Sequence, residues 1–254
     1  MPYKRLIARL DIKGENVIKG IQMDGLRVVG SARDMARKYY EQNVDEIVMI
    51  DVVASLYGRE ALAEIIRDVT SECFVPVTVG GGIRSLEDAD ILFRAGADKI
   101  AINTAAHQNP HLISEIAGKY GSQAVTVQVD AIRRPGGYEC LVESGRERTG
   151  IYVEDWVQRV VEQGAGEIFL TSVDRDGTKT GPELQLASLV AELATVPTVN
   201  AGGIGSSEHI LRLFSDTHCE GVAIGAALHS DVLTIPQVRS ELLTASIVVR
   251  EASH

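Results

Sequence analysis

The sequence predicts an α/β fold: eight parallel strands, each followed by a helix, closed into a (β/α)8 barrel of the TIM type. Three observations predict it. Short β-branched apolar runs alternate strictly with segments of helical period, which requires parallel strands joined by right-handed crossovers. Eight such units in 254 residues match the size of a barrel of this kind. There is also an internal repeat. VPVTVGGGIRSLEDADILFRAGADKIAINTAA, from Val75, aligns with VPTVNAGGIGSSEHILRLFSDTHCEGVAIGAA, from Val196. Ile83 matches Ile204 at an offset of 121, and Asp11 matches Asp130 at an offset of 119. The chain, 1–254, therefore reads as a single barrel made of two four-unit half-barrels, near residues 1–122 and 123–254. The rival, an open doubly wound sheet, gives no reason for such a repeat.

In chain order, the expected strands are Leu6–Leu10, Glu46–Ile50, Val77–Val79 and Lys99–Ile102 in the first half. Ala124–Val129, Glu167–Leu170, Thr198–Asn200 and Gly221–Ile224 follow in the second. Helical period covers Ala32–Glu41, Glu60–Thr70, Leu86–Ala95 and Val153–Gln163. Ser85, with Asp88 in the following turn, has the pattern of an N-cap. The longest irregular stretch is Lys13–Ser31, after the first strand, and loops of that length inside a compact domain are usually functional.

Composition excludes several function classes. The chain is 45% hydrophobic and 24% charged, an ordinary globular balance, and with only 5% aromatics its core is built from Val, Ile, Leu and Ala. A net charge of -10 argues against nucleic acid, but leaves room for a small anionic substrate in a local pocket. Cys73, Cys140 and Cys219 lack disulfide or zinc spacing, and the six histidines show no metal-ligand motif. No metal and no cofactor is expected. A nucleophile elbow and a G-x-G-x-x-G turn are both absent, which argues against a hydrolase triad and a dinucleotide site. Without a signal-peptide pattern or a long apolar run, a soluble cytoplasmic protein is expected.

In such a barrel the chemistry sits at the C-terminal ends of the strands. Gly80-Gly81-Gly82 follows the third strand and Gly202-Gly203 the seventh, each ahead of a helix. Asn103-Thr104 and Gly225-Ala226 follow the fourth and eighth. Glycine lets backbone N–H groups approach an anion, and a helix N-terminus favours its charge. Each half thus owns one candidate phosphate site, and a ligand with two phosphates is expected. The plainer explanation is tight turns that need glycine for packing. Thr171, Asp176 and Gly177, after the sixth strand, add hydrogen-bonding groups to the substrate site. Asp11 and Asp130 end strands one and five, opposite each other, and suit general acid–base work. Asp51 and Asp174 are placed to hold loops. Lys19, in the long first loop, is placed to close over an anion. At the other end of the barrel, Arg5, Glu46, Lys99 and Glu167 begin strands one, two, four and six. Two cations and two anions there form a neutral ring, which as a buried plug needs a reason such as a gate for a small polar molecule.

Together these stretches resemble the cyclase subunit (HisF) family of imidazole glycerol phosphate synthase over essentially the whole chain. Lys4-Arg5 with Leu10-Asp11, Val17-Ile18-Lys19-Gly20, Asp51 with Ala54-Ser55, VGGGIRS from Val79, GADKIAINTAA from Gly96 and GAGEIFLTSVDRDGT from Gly164 carry the resemblance. It implies an ammonia-dependent lyase that converts a bisphosphate ribulosyl-formimino aminoimidazole ribotide to imidazole glycerol phosphate and aminoimidazole carboxamide ribotide. It implies a glutaminase partner in a heterodimer, with Arg5, Glu46, Lys99 and Glu167 as the ammonia gate and Asp98 and Gln123 on the docking face. Asp11 and Asp130 match the acid–base pair and Lys19 the loop lysine. Gly82, Asn103, Thr104, Asp176, Gly177 and Gly203 lie in matching phosphate-binding segments.

Departures remain. Arg9 stands where the family has a small residue, and the period of two points it into the barrel, where it must pair or snorkel. GGIGSSEH and the Ile224-Gly225-Ala226-Ala227 end of the last strand also differ. They leave open a paralogous branch that serves sugar amidation for surface polysaccharides. A phosphosugar isomerase of the sister type shares the half-barrel repeat and the paired aspartates but needs no gate. A barrel that only anchors a glutaminase would have no use for Asp11 and Asp130.

Overall fold

A computed structural model describes residues 3–53 and 59–251, so the Ala54-Ser55 pair lies outside the described residues. All eight expected strands form. They are β1 (Arg5–Lys13), β4 (Glu46–Asp51), β5 (Val77–Gly80), β6 (Lys99–Ile102), β7 (Val125–Arg134), β10 (Glu167–Ser172), β11 (Thr198–Ala201) and β12 (Gly221–Ile224). Neighbours in this sequence pair in parallel, and β12 closes on β1 with Arg5 opposite Gly221 and Ala8 opposite Ile224. The result is a closed eight-stranded parallel barrel inside a layer of helices.

Two parts of the chain differ from the expectation. Lys13–Ser31 is not irregular. β1 runs past the barrel, turns at Gly14, and returns as β2 (Asn16–Ile21), which pairs with β3 (Asp24–Ser31). The hairpin was hidden because β3 is exposed along most of its length, so it has no buried face to impose an alternating pattern. A second hairpin extends β7 in the same way, through β8 (Gly137–Val142) and β9 (Glu147–Tyr152). Both stand over the C-terminal mouth.

The helices that begin where the sequence signals them do so by ordinary capping. The Ser85 hydroxyl accepts from the Asp88 N–H to start the helix Leu86–Arg94. Ser206, its counterpart in the repeat, accepts from the His209 N–H to start the helix Ser207–Asp216. The repeat extends to backbone conformation: Asn103 has φ -126°, ψ -84°, and Gly225 has φ -113°, ψ -84°.

Strand alternation sorts the core into two parts. Outward residues such as Leu6, Leu10, Ile47, Val127 and Val222 pack under the helices in the main cluster. Inside the barrel, Ile7, Val48, Ala101, Phe169, Val199 and Ala223 belong to a small separate cluster, with polar side chains at both ends of it. The last helix among the described residues, Ile235–Thr244, is tied to the bottom of the barrel by Arg239, which is buried. Its guanidinium donates to the carbonyls of Asn43 (2.7 Å) and Arg250 (2.6 Å) and to Asp45 Oδ1 (3.0 Å), while Asp45 Oδ2 accepts from the Leu6 N–H. Arg239→Met removes three charge-assisted bonds at once. It is expected to cost about 3 kcal/mol, read as a lower urea midpoint at unchanged slope.

Candidate active site

β1 carries Asp11 to the mouth and β7 carries Asp130. They lie four strands apart in the ring of eight, so the two carboxylates face each other across it, and both are buried. Their surroundings differ. Asp11 accepts from Arg9 Nε and from Lys19 Nζ, both at 2.8 Å. Lys19 reaches it from β2, and the same ammonium donates to both oxygens of Asp176 at 2.9 Å. Asp130 is held by neutral groups: Asn103 Nδ2 and Gln128 Nε2 donate to it, each at 3.0 Å, and the Thr171 hydroxyl is also hydrogen-bonded to it.

Burial pushes the Asp11 carboxyl up, but the Arg9 and Lys19 cations outweigh it and hold the group well below the usual carboxylate range. Burial pushes Asp130 up, and the more distant Arg9 only partly offsets this. The stability drawn from Asp11 is therefore present above the ordinary aspartate value of about 3.9 and is lost as pH falls through its lower folded value. Asp130 has the opposite sign: its ionisation destabilises the fold, and the penalty is relieved as pH falls through its raised value. Carboxyl carbon NMR is expected to show Asp130 titrating above ordinary aspartates, with Asp11 still ionised where they protonate.

The expected cradles fall into two cavities. Gly81, Gly82, Asn103 and Thr104 line a cleft of about 370 Å³ that also reaches Asp51, Gln128 and Asp130. Gly177, Gly202, Gly203, Gly225 and Ala226 line a second, smaller cavity with Lys19 and Asp176. Glycine is needed in both for the fold itself. A Cβ on Gly81 would meet the Asp51 carbonyl oxygen at 2.1 Å, and one on Gly203 the Gly181 carbonyl oxygen at 2.0 Å, with both residues at positive φ. Asn103 and Thr104 also hold the second hairpin. Asn103 Nδ2 donates to the Leu141 carbonyl, and Thr104 Oγ1 accepts from the Glu143 N–H. Thr171 is buried and lines neither cavity; its hydroxyl accepts from Arg9 Nη1 at 2.9 Å. Asp174 holds a loop, accepting from the Arg133 N–H.

The cavities also expose residues the sequence reading missed. Gln128 could have been found, because it lies two residues before Asp130 and the period of two turns both inward. Arg84, Ser144, Arg146 and Met23 reach the mouth through loop and hairpin folding and have no such signal. Among the described residues, no group of three or more His, Cys, Asp or Glu side chains converges as a metal site would.

At the opposite end, the four charged residues form a closed ring. Arg5 Nη1 donates to Glu46 (2.7 Å) and Glu167 (2.6 Å), and Lys99 Nζ donates to the same two carboxylates at 3.1 and 3.2 Å. Thr126 Oγ1 adds a bond to Glu167. Asp98 and Gln123 are exposed at this end, just ahead of β6 and β7. Beside Arg5 and Glu46 of the ring lies a depression lined by Tyr3, Phe74, Leu243 and Val248, all exposed.

Comparison with known proteins adds the family. The profile described as "Histidine biosynthesis protein" matches residues 5–234. The chain belongs to this family. Among its relatives, a Legionella pneumophila protein is 51% identical over 209 residues, 82% of this chain and 99% of the relative. One from Metallosphaera sedula is 40% identical over 250 residues, and one from Streptococcus mutans 41% over 251; each covers 98% of this chain and 100% of the relative. All three are named imidazole glycerol phosphate synthase subunit HisF. Within the histidine biosynthesis family, then, the sugar-amidation branch is not favoured.

Proposed function

We propose that this chain is the cyclase subunit of an imidazole glycerol phosphate synthase. It acts as an ammonia-dependent lyase on the bisphosphate ribulosyl-formimino ribotide, releasing imidazole glycerol phosphate and aminoimidazole carboxamide ribotide. The observation that carries this reading is one barrel with two unlike aspartates between two glycine-lined cavities at its mouth and a closed charge ring at its base. The first cavity seats one phosphate; the second, of about 10 Å³, admits the other once Lys19 moves off Asp176, and the span between them lays the substrate across Asp11 and Asp130. Ammonia attack and cyclisation each require one proton taken and one given. Asp130, pushed up by burial, is the group suited to give a proton. Asp11 stays ionised and is suited to accept one once the substrate's phosphate draws Lys19 away from it. The chain works as one barrel of two half-barrels, near 1–122 and 123–254.

The ring of Arg5, Glu46, Lys99 and Glu167 is the entry for ammonia made by a glutaminase subunit. That partner docks over this end of the barrel, covering the exposed apolar depression and Asp98 and Gln123, and the heterodimer works in the cytoplasm. The test is growth. A bacterial strain lacking its own cyclase, given this chain and ample ammonium, is expected to grow without histidine, and the Asp11→Asn chain is expected not to support it. No growth from a stably produced wild-type chain would overturn the assignment.

A further inference from the structure

Arg9 is a buried cation at the centre of the barrel to which the acid–base reading gives a bond to Asp11 but no contact with the substrate. It projects inward from β1 between Ile7 and Asp11, and its guanidinium lies over the Phe169 ring, 5.6 Å from the centroid. Nε is held by Asp11 and Nη1 by Thr171, while Nη2 makes no hydrogen bond among the described residues. The side chain lines both the cavity that holds Asp11 and Asp130 and the smaller one formed by Gly177, Gly202, Gly203 and Gly225.

The charges around that smaller cavity explain why a cation there is useful. Asp176 lines it with Lys19 and Arg9, and Asp11, in the neighbouring cavity, is bonded to both cations. Without Arg9, a phosphate would enter beside Asp11 and Asp176 with one ammonium between them. An apolar side chain would fill this layer at less desolvation cost than a guanidinium. A guanidinium also matches phosphate geometry better than an ammonium does.

We propose that Arg9 is a direct ligand for the substrate's anionic end, completing the second half's cradle from the barrel floor. Bound through Nη2, it keeps Nε on Asp11, so one guanidinium links the anion to the carboxylate beside the reaction. Arg9 then determines specificity as well: it favours a doubly charged end group over a neutral one. The inference rests on the reading of that cavity as a phosphate site.

Inorganic phosphate is the probe, titrated into the purified chain and followed by calorimetry. Wild type is expected to bind it, and Arg9→Met to weaken binding at one site by about tenfold or more, the loss of one charge-assisted bond. Arg9→Gln keeps a donor for Asp11 without the charge and carries the same expectation, should the Met variant not fold. Unchanged affinity in a folded variant would overturn the role of Arg9 and leave the phosphate cradles standing. Failure of wild type itself to bind phosphate would overturn both. A purely structural Arg9 would show a lower urea midpoint with phosphate affinity intact, which also contradicts the proposal.

Discussion

Asp11→Asn is expected to abolish product formation with free ammonium salt, by roughly 10²–10⁴-fold, the usual worth of a positioned acid or base. The amide cannot take a proton, and it leaves the buried Arg9 and Lys19 with only Asp176 as a bonded countercharge. Some stability is lost with it, so the comparison is made on protein whose far-UV circular dichroism matches wild type. The same substitution separates the three functions the sequence left open. Glutaminase activation by an otherwise dead Asp11→Asn chain is expected for the cyclase. A chain that served only as an anchor would have no product formation to lose. An isomerase would also die with Asp11, but its wild-type turnover would not depend on added ammonium.

The second large effect is at the far end of the barrel. Lys99→Met leaves Glu46 and Glu167 sharing Arg5 alone, a buried excess of negative charge. Glutamine-supported turnover with a glutaminase partner is expected to fall much more than turnover with ammonium salt, because free ammonia enters at the open mouth and bypasses the ring. Equal losses by both routes would contradict passage through the ring and leave it as a plug.

The barrel was legible because each of its strands is a short apolar run with an inward and an outward face to bury. The two hairpins over the mouth were not. β3 and much of β9 face solvent, so burial writes no period into them. Asp11, Asp130 and the charge ring followed from strand position alone, as did the inward direction of Arg9. The bond from Lys19 to Asp176 spans 157 residues of sequence and exists only because the first hairpin folds back over the mouth. The glycine turns illustrate a different limit. Gly81 and Gly203 are demanded by backbone contacts whether or not a phosphate binds. Their presence in the sequence therefore reports the shape of the turn, and the charge around it has to report the ligand.

The most direct measurement incubates the purified chain with the bisphosphate ribulosyl-formimino ribotide and excess ammonium salt at alkaline pH, following substrate loss and imidazole glycerol phosphate together. Equal loss and gain are expected in wild type and neither in Asp11→Asn. A folded wild-type chain that leaves the substrate untouched, or consumes it without ammonium, would contradict the cyclase assignment.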